Sequence, residues 1–204
     1  MELLYKINNI GLSFLKELFV DKKLDNDSYY KRRVENNIFL TEREKFIIEY
    51  MINSFDKNLT ICEIGTGFGQ ILLALSILGA KTVGTEVRED RYKASIFLKN
   101  RFTEEGLDAE GFDPVFKRYP KYIPKADLLL SANIVATFNV QNMDDIIDSF
   151  KNFKYVIIDT LEFGKRRDSE EERLSLLRKI ESFGFSHKDI GSNYCLLTLD
   201  AQHE

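Results

Sequence analysis

The sequence predicts an α/β fold: a mostly parallel seven-stranded sheet with an antiparallel strand in a C-terminal hairpin, preceded by helices. Three observations carry that prediction. From Leu59 onward, short apolar runs alternate with helical patterns. The first run, Leu59 to Ile64, passes directly into glycines at alternate positions, Gly65, Gly67 and Gly69, and then into a helical stretch from Gln70 to Leu78. The chain ends in two strand-like runs, Phe185 to Asp189 and Tyr194 to Leu199, joined through the turn residues Gly191, Ser192 and Asn193.

Taken in order, residues 1–55 read as two or three helices ahead of a sheet domain spanning residues 56–204. Leu3, Leu4, Ile7, Ile10, Leu15, Leu18 and Phe19 recur at helical spacing, and a polar turn follows from Asp21 to Asp27. Thr41 with Glu44 three residues later forms a capping-box signature for a helix running to about Phe55. Its expected inner face holds Phe46, Ile47, Tyr50, Met51 and Ser54. Within the sheet domain, Leu59–Ile64 is the first strand and Lys81–Thr85 the second, ending at Glu86. A helix from Arg91 stops before Gly106, and the third strand is expected within Ala109–Phe112. Asp127–Ala132 is the fourth strand, Met143–Phe150 a helix and Tyr155–Asp159 the fifth strand. Ser169 is a plausible cap for a helix ending near Phe183.

The composition is that of a compact globular protein. The chain has 204 residues, 44% hydrophobic and 30% charged, and only three prolines, so it can bury a substantial core. The longest apolar stretch, near Ile71 to Ala80, is broken by Ser76 and Gly79 and falls short of a membrane span. No basic and apolar leader pattern opens the chain, which points to the cytoplasm. Cys62 and Cys195 both fall in expected core strands and read as buried thiols. A net charge of −4 speaks against broad nucleic-acid binding.

The glycine spacing narrows the ligand. A dinucleotide fingerprint requires its last glycine at position 70, where Gln70 stands. Here the pattern is G-x-G-x-G, with Glu63 before it and Glu86 closing the second strand. Glu63, Gly65, Gly67 and Gly69 resemble the first motif of the class I S-adenosylmethionine-dependent methyltransferases, E/D-x-G-x-G-x-G. Glu86 matches the family's acid at the end of the second strand. The resemblance spans Leu59 to Leu199 and is specific over Glu63 to Glu86. It implies a Rossmann-like methyltransferase fold, whose antiparallel seventh strand is reached by a hairpin. It also implies S-adenosyl-L-methionine as cofactor, with Glu86 on the ribose hydroxyls and Glu63 orienting turn N–H groups or reaching the cofactor ammonium through water.

Around that motif, Thr66, Phe68 and Val87 are expected beside the cofactor, with packing into the core an equal alternative for Phe68. By the resemblance, Asp113 after the third strand would meet the adenine edge, with Asp108 as its rival, and Asn133 would sit at the cofactor or acceptor. Ser131 to Val135 lacks the Asp/Asn-Pro-Pro-Tyr/Phe sequence typical of enzymes that methylate nucleobase amines, which disfavours that acceptor. No His, Cys or acid cluster has metal-ligand spacing. His187 and His203 are more readily structural or solvated than catalytic, and no general base is assigned; Asp159, Thr160 and Glu162 lie within reach of an acceptor. Two aromatic-flanked basic clusters, containing Arg32 with Arg33 and Arg166 with Arg167, are expected to contact an anionic group on a small-molecule substrate. A non-catalytic binding module and an RNA or protein methyltransferase remain open as alternatives, and so does the oligomeric state, homo-oligomers included.

Overall fold

The computed structural model describes residues 2–20, 27–56, 58–132, 143–160 and 170–200, apart from the side chains of Glu170 and Glu172. Three helices lead the chain: α1 (Glu2–Val20), α2 (Ser28–Glu35) and α3 (Glu42–Ser54). The remainder runs β1 (Thr60–Ile64), α4 (Gln70–Ile77), β2 (Lys81–Glu86), α5 (Glu89–Glu104), β3 (Phe112–Phe116) and β4 (Leu128–Ser131). It continues through α6 (Met143–Ser149), β5 (Tyr155–Asp159), α7 (Glu170–Glu181), β6 (Phe185–Gly191) and β7 (Tyr194–Leu199). The seven strands form one sheet in the order β3-β2-β1-β4-β5-β7-β6. Pairing is parallel from β3 to β5, and β7 runs antiparallel to both β5 and β6. The closing hairpin turns through Gly191, Ser192 and Asn193, all at positive φ, which matches the right-handed twist of the strands.

Strand periodicity divides the core between two faces. Ile61, Leu128, Leu130 and Ile157 face a cluster shared with α1, α3, α4 and α5. Their sequence neighbours Cys62, Leu129, Val156 and Ile158 face a second cluster with α6 and α7. Both cysteines are buried free thiols. By the same alternation Glu63 shares the face of Ile61, beneath the N-terminal helices.

The N-terminal helices begin as their sequence signals direct. Asp27 caps α2 by accepting from the Tyr29 and Tyr30 N–H groups. Both arms of the Thr41–Glu44 capping box are present at α3. The buried face of α3 is Glu44, Ile47, Ile48 and Met51, displaced from the expected stripe because the Glu44 carboxylate is itself drawn inward. Phe14 of α1 meets Phe102 of α5 edge to face, with centroids 5.3 Å apart. A Cβ on Gly11 would come within 2.5 Å of the Phe39 ring, so that glycine lets α1 lie close against the segment before α3.

The third strand differs from expectation. It spans Phe112–Phe116 and so takes in Asp113-Pro114, a pair with the chemistry of a turn. β3 is the edge of the sheet, where a proline's missing N–H need not break a ladder bond. The shift carries the carboxyl end of the strand four residues further along, to Phe116, directly before Lys117. Residues 21–26 of the expected polar turn and the Ser169 cap lie outside the described residues.

Candidate functional site

The glycine turn is built at the carboxyl end of β1. Gly65, Gly67 and Gly69 all adopt positive φ (61°, 59° and 77°), a conformation that favours glycine. The first and last turns of the loop close on the chain itself, Thr66 N–H donating to the Thr85 carbonyl at 3.0 Å and Gly69 N–H to the Thr66 carbonyl at 2.8 Å. Gly69 also answers a packing demand: its Cβ would lie 2.6 Å from the Phe112 ring.

Glu86, buried at the end of β2, organises the turn from the side. One carboxylate oxygen accepts from Gly67 N–H at 2.9 Å, and the other accepts from Val87 and Arg88 N–H at 2.7 and 2.9 Å. A carboxylate has about four acceptor positions, so one remains on the oxygen that holds Gly67. Glu63 lies beneath the turn and accepts from the Thr66 hydroxyl at 3.0 Å. Burial pushes its carboxyl up to about 8, opposed by the Thr66 hydrogen bond.

Helix α2 covers the turn. The Tyr30 ring stacks on Phe68 with centroids 3.4 Å apart and an interplanar angle of 8°. Its hydroxyl accepts from Phe68 N–H at 3.0 Å and donates to Gln70 Oε1 at 3.3 Å. That arrangement leaves the buried Gln70 Nε2 as a donor with no partner. Burial raises the Tyr30 phenol above its ordinary range, so it stays neutral. Arg33 is held by a bidentate pair with Glu44, at 2.9 and 2.6 Å, and donates to the Phe39 carbonyl at 2.8 Å. Asp27, which caps α2, also pairs with Arg91 at 2.9 Å and Arg88 at 3.4 Å, tying the helix to the segment after Glu86.

Between the turn and this cover lies a cavity of about 670 Å³, bounded by Gly65–Gly67, Gln70, Glu86, Tyr30 and the segment Lys117–Lys121. It opens at the carboxyl ends of the parallel strands, where ligands of open α/β sheets bind.

No protein-family model and no curated protein matches the chain by sequence. Solved structures do match in three dimensions. The magnesium protoporphyrin IX methyltransferase of Synechocystis PCC 6803, with bound SAM, superposes with a TM-score of 0.67 at 11% identity, over 89% of this chain and 96% of that one. The methyltransferase domain of bacterial CtHen1 gives 0.59 at 15% identity, over 78% and 98%. Human N-acetylserotonin methyltransferase, in complex with SAM, gives 0.54 at 17%, over 78% and 52%. The chain has the fold of the S-adenosylmethionine-dependent methyltransferases.

Within that methyltransferase fold, the expected site residues separate into three groups. Glu63, Gly65, Thr66, Gly67, Glu86 and Val87 line the cavity together. Phe68 and Gly69 belong to the turn but are not in its wall: Phe68 is fully buried beneath Tyr30, and Gly69 makes room for Phe112. Asp113 is not brought to the site. It is the second residue of β3, exposed and paired in register with Val83, well before the strand's carboxyl end. Asn133, Glu162, Arg166, Arg167 and His203 lie outside the described residues.

The Lys31-Arg32-Arg33 cluster also resolves differently from its expected role. Arg33 reaches the cavity wall, but its charge is committed to Glu44; burial alone would lower its pKa, and the adjacent Glu44 carboxylate raises it instead. Arg32 is exposed, bonded to the Ser28 carbonyl and outside the cavity wall. Asp159 is taken by Arg43 of α3 at 2.7 Å, and Thr160 bonds the Asn193 carbonyl. His187 pairs with Glu181 on the surface, at 3.2 Å.

Tyr30, Gln70 and the segment Lys117-Arg118-Tyr119-Pro120-Lys121 line the cavity without having been singled out from sequence. For the last there was a signal: a basic run interleaved with Tyr119 and Tyr122, of the same kind as the two clusters that were chosen. With β3 expected within Ala109–Phe112, that run falls in the middle of a connection, away from any strand end.

Proposed function

We propose that the chain transfers the methyl group of S-adenosyl-L-methionine to a small-molecule acceptor. One observation supports this above the rest. The glycine turn, the Glu86 carboxylate and the unpartnered Gln70 Nε2 open on a single cavity at the carboxyl edge of a methyltransferase-fold sheet. The volume of about 670 Å³ is in the range of small-molecule sites. These residues fit the cofactor. Glu86 has an acceptor position left for a ribose hydroxyl, and Gln70 Nε2 has a hydrogen to donate. Glu63 supplies a carboxyl group that a cationic ligand would draw into its ionised form.

When bound, the cofactor supplies an electrophilic methyl carbon. The chain's own contribution is alignment and exclusion of water. Tyr29 and Tyr30 of α2 wall the cavity above the turn, and Arg33 and Glu44 fix that wall by their buried ion pair. The N-terminal helices thus act as a lid on the site. No group in the described cavity is required as a base unless the acceptor atom carries a proton. Buried free thiols fit a reducing, cytoplasmic setting, and among the described residues no helix is long and apolar enough to cross a membrane.

Calorimetry with S-adenosyl-L-methionine and its demethylated product tests the cofactor assignment directly. Saturable binding of both is expected, and absence of heat or thermal shift at about 1 mM ligand defeats the assignment. Incubation of cell extract with methyl-labelled cofactor, with and without the protein, then identifies the acceptor as the metabolite that gains label.

A further inference from the structure

We propose that the acceptor carries an anionic group, a phosphate or a carboxylate, and that this group docks on Lys117, Arg118 and Lys121 at the mouth of the cavity. The word acceptor rests on the methyl-transfer reading above; the anion site rests on the following geometry.

The three cations stand on and directly before one turn. Tyr122 N–H donates to the Arg118 carbonyl at 3.0 Å, closing a turn that carries Arg118 and Lys121, with Lys117 directly before it in the chain. Lys117, Arg118 and Lys121 all line the same cavity. The turn is anchored from below. Tyr119 is buried in the cluster around Ile146 and Phe150, and its hydroxyl bonds Ser149 at the end of α6. The Ser149 hydroxyl is in turn spent on the Ile146 carbonyl at 2.6 Å. A fixed turn thus holds three like charges together at the cavity, which costs repulsion unless a counter-charge is supplied.

The protein does not supply it. The other basic residues on the cavity wall have carboxylate partners: Arg33 has Glu44, Arg88 has Asp90 and Asp27, and Arg91 has Asp27. Lys117, Arg118 and Lys121 form no ion pair among the described residues, although the chain carries 33 acids against 29 basic residues. Lys117 Nζ lies over the Tyr122 ring at 4.4 Å, a contact that brings no counter-charge. Of the acids in the same cavity, Glu44 is neutralised by Arg33, Glu86 is engaged by three N–H groups, and burial favours the neutral form of Glu63. Asp145 of α6 is the remaining acid on the wall, set against three cations. The balance favours a small anion of one or two charges. An RNA is disfavoured, because its phosphates need an extended basic face and the chain's net charge is −4.

The test uses the intact chain and inorganic pyrophosphate as probe, titrated with and without saturating S-adenosylhomocysteine. The comparison protein carries Lys117→Gln, Arg118→Gln and Lys121→Gln together; these side chains are exposed, so folding is retained. Saturable pyrophosphate binding is expected in the wild type and should weaken by at least about tenfold in the triple variant. Affinity for S-adenosylhomocysteine should hold within about threefold, and Arg32→Gln, a charge change outside the cavity, should leave pyrophosphate binding unaltered. Equal binding by wild type and triple variant overturns the site, as does no saturable binding by about 10 mM probe. Loss of single-stranded RNA binding in the triple variant, with no pyrophosphate binding in the wild type, replaces the small anion with a nucleic acid. Pyrophosphate binding that depends on the three cations, without any binding of S-adenosylhomocysteine, leaves the anion site standing and removes the methyl-transfer reading.

Discussion

At the scale of single residues, Glu86 has two duties that separate experimentally. It holds Gly67, Val87 and Arg88 N–H, and it has one acceptor position left for a ligand. Glu86→Ala is therefore expected to lower stability by about 1–3 kcal/mol, the cost of stranding buried donors, as well as cofactor affinity by at least tenfold. Chemical denaturation and calorimetry on the same preparation check both; a stability loss without an affinity loss would make the acid purely structural. Glu63 gives a pH signature. Its carboxyl is raised to about 8 in the fold from an unfolded value near 4.5, so the native state holds a proton that the unfolded chain has released between those values. Stability from this group is complete below the unfolded pKa and declines as pH rises toward 8, by at most about 1.4 kcal/mol per pH unit. Glu63→Gln should flatten that decline in melting temperatures measured from pH 5 to 8.5; an unchanged profile would show the carboxyl to be ionised throughout. Glu63 was legible because it directly precedes the glycine turn, and Glu86 because it closes the next apolar strand run at the spacing the family motif has. Arg33 was not, since its partner Glu44 lies eleven residues away across an inter-helix corner.

Among elements, the corner between α2 and α3 shows how a helix signal and a tertiary contact share one side chain. Glu44 accepts the Thr41 N–H at 2.7 Å as the reciprocal arm of the capping box, while both its oxygens take Arg33. Arg33→Ala leaves that carboxylate buried and uncompensated, and a loss of about 3–5 kcal/mol is expected from denaturant titration. Arg33→Lys should recover only part of it, because an ammonium cannot reproduce the bidentate fork. If Arg33→Ala instead unfolds at the wild-type denaturant midpoint, the pair is solvated in the native state. The capping box was readable from four consecutive residues, and so were β1, β2, β5 and the closing hairpin, whose apolar runs are bounded by glycine or polar breaks. β3 was not readable, because Asp113-Pro114 carries the chemistry of a turn and only the sheet's edge makes the proline tolerable.

Over the whole molecule, residues 1–55 read as helices packed on the sheet domain with no flexible linker between, and the apolar contacts run straight across residue 55. Ile7, Phe14, Leu15, Phe39, Ile47 and Ile48 are buried in the same cluster as Leu72, Leu98, Phe102 and Leu128 of the sheet domain. Arg43 of α3 reaches Asp159 at the end of β5, and Arg101 of α5 reaches Glu17 of α1 at 3.2 Å. The absence of a flexible linker already implies that these helices pack on the core; the particular contacts were not legible, since a helix stripe does not name its partner. Removing residues 1–55 would uncover the apolar outer faces of α4 and α5 and open the cavity above the glycine turn. Each large side chain returned to water costs about 1.5–3 kcal/mol, and several such losses exceed the roughly 5–15 kcal/mol by which a domain of this size is normally stable. The truncated chain, residues 56–204, is therefore expected to aggregate or to bind hydrophobic dye without a cooperative melting transition. A truncated protein that melts cooperatively and still binds S-adenosylhomocysteine would show the helices to be a dispensable lid, and would return the cofactor site to the sheet domain alone.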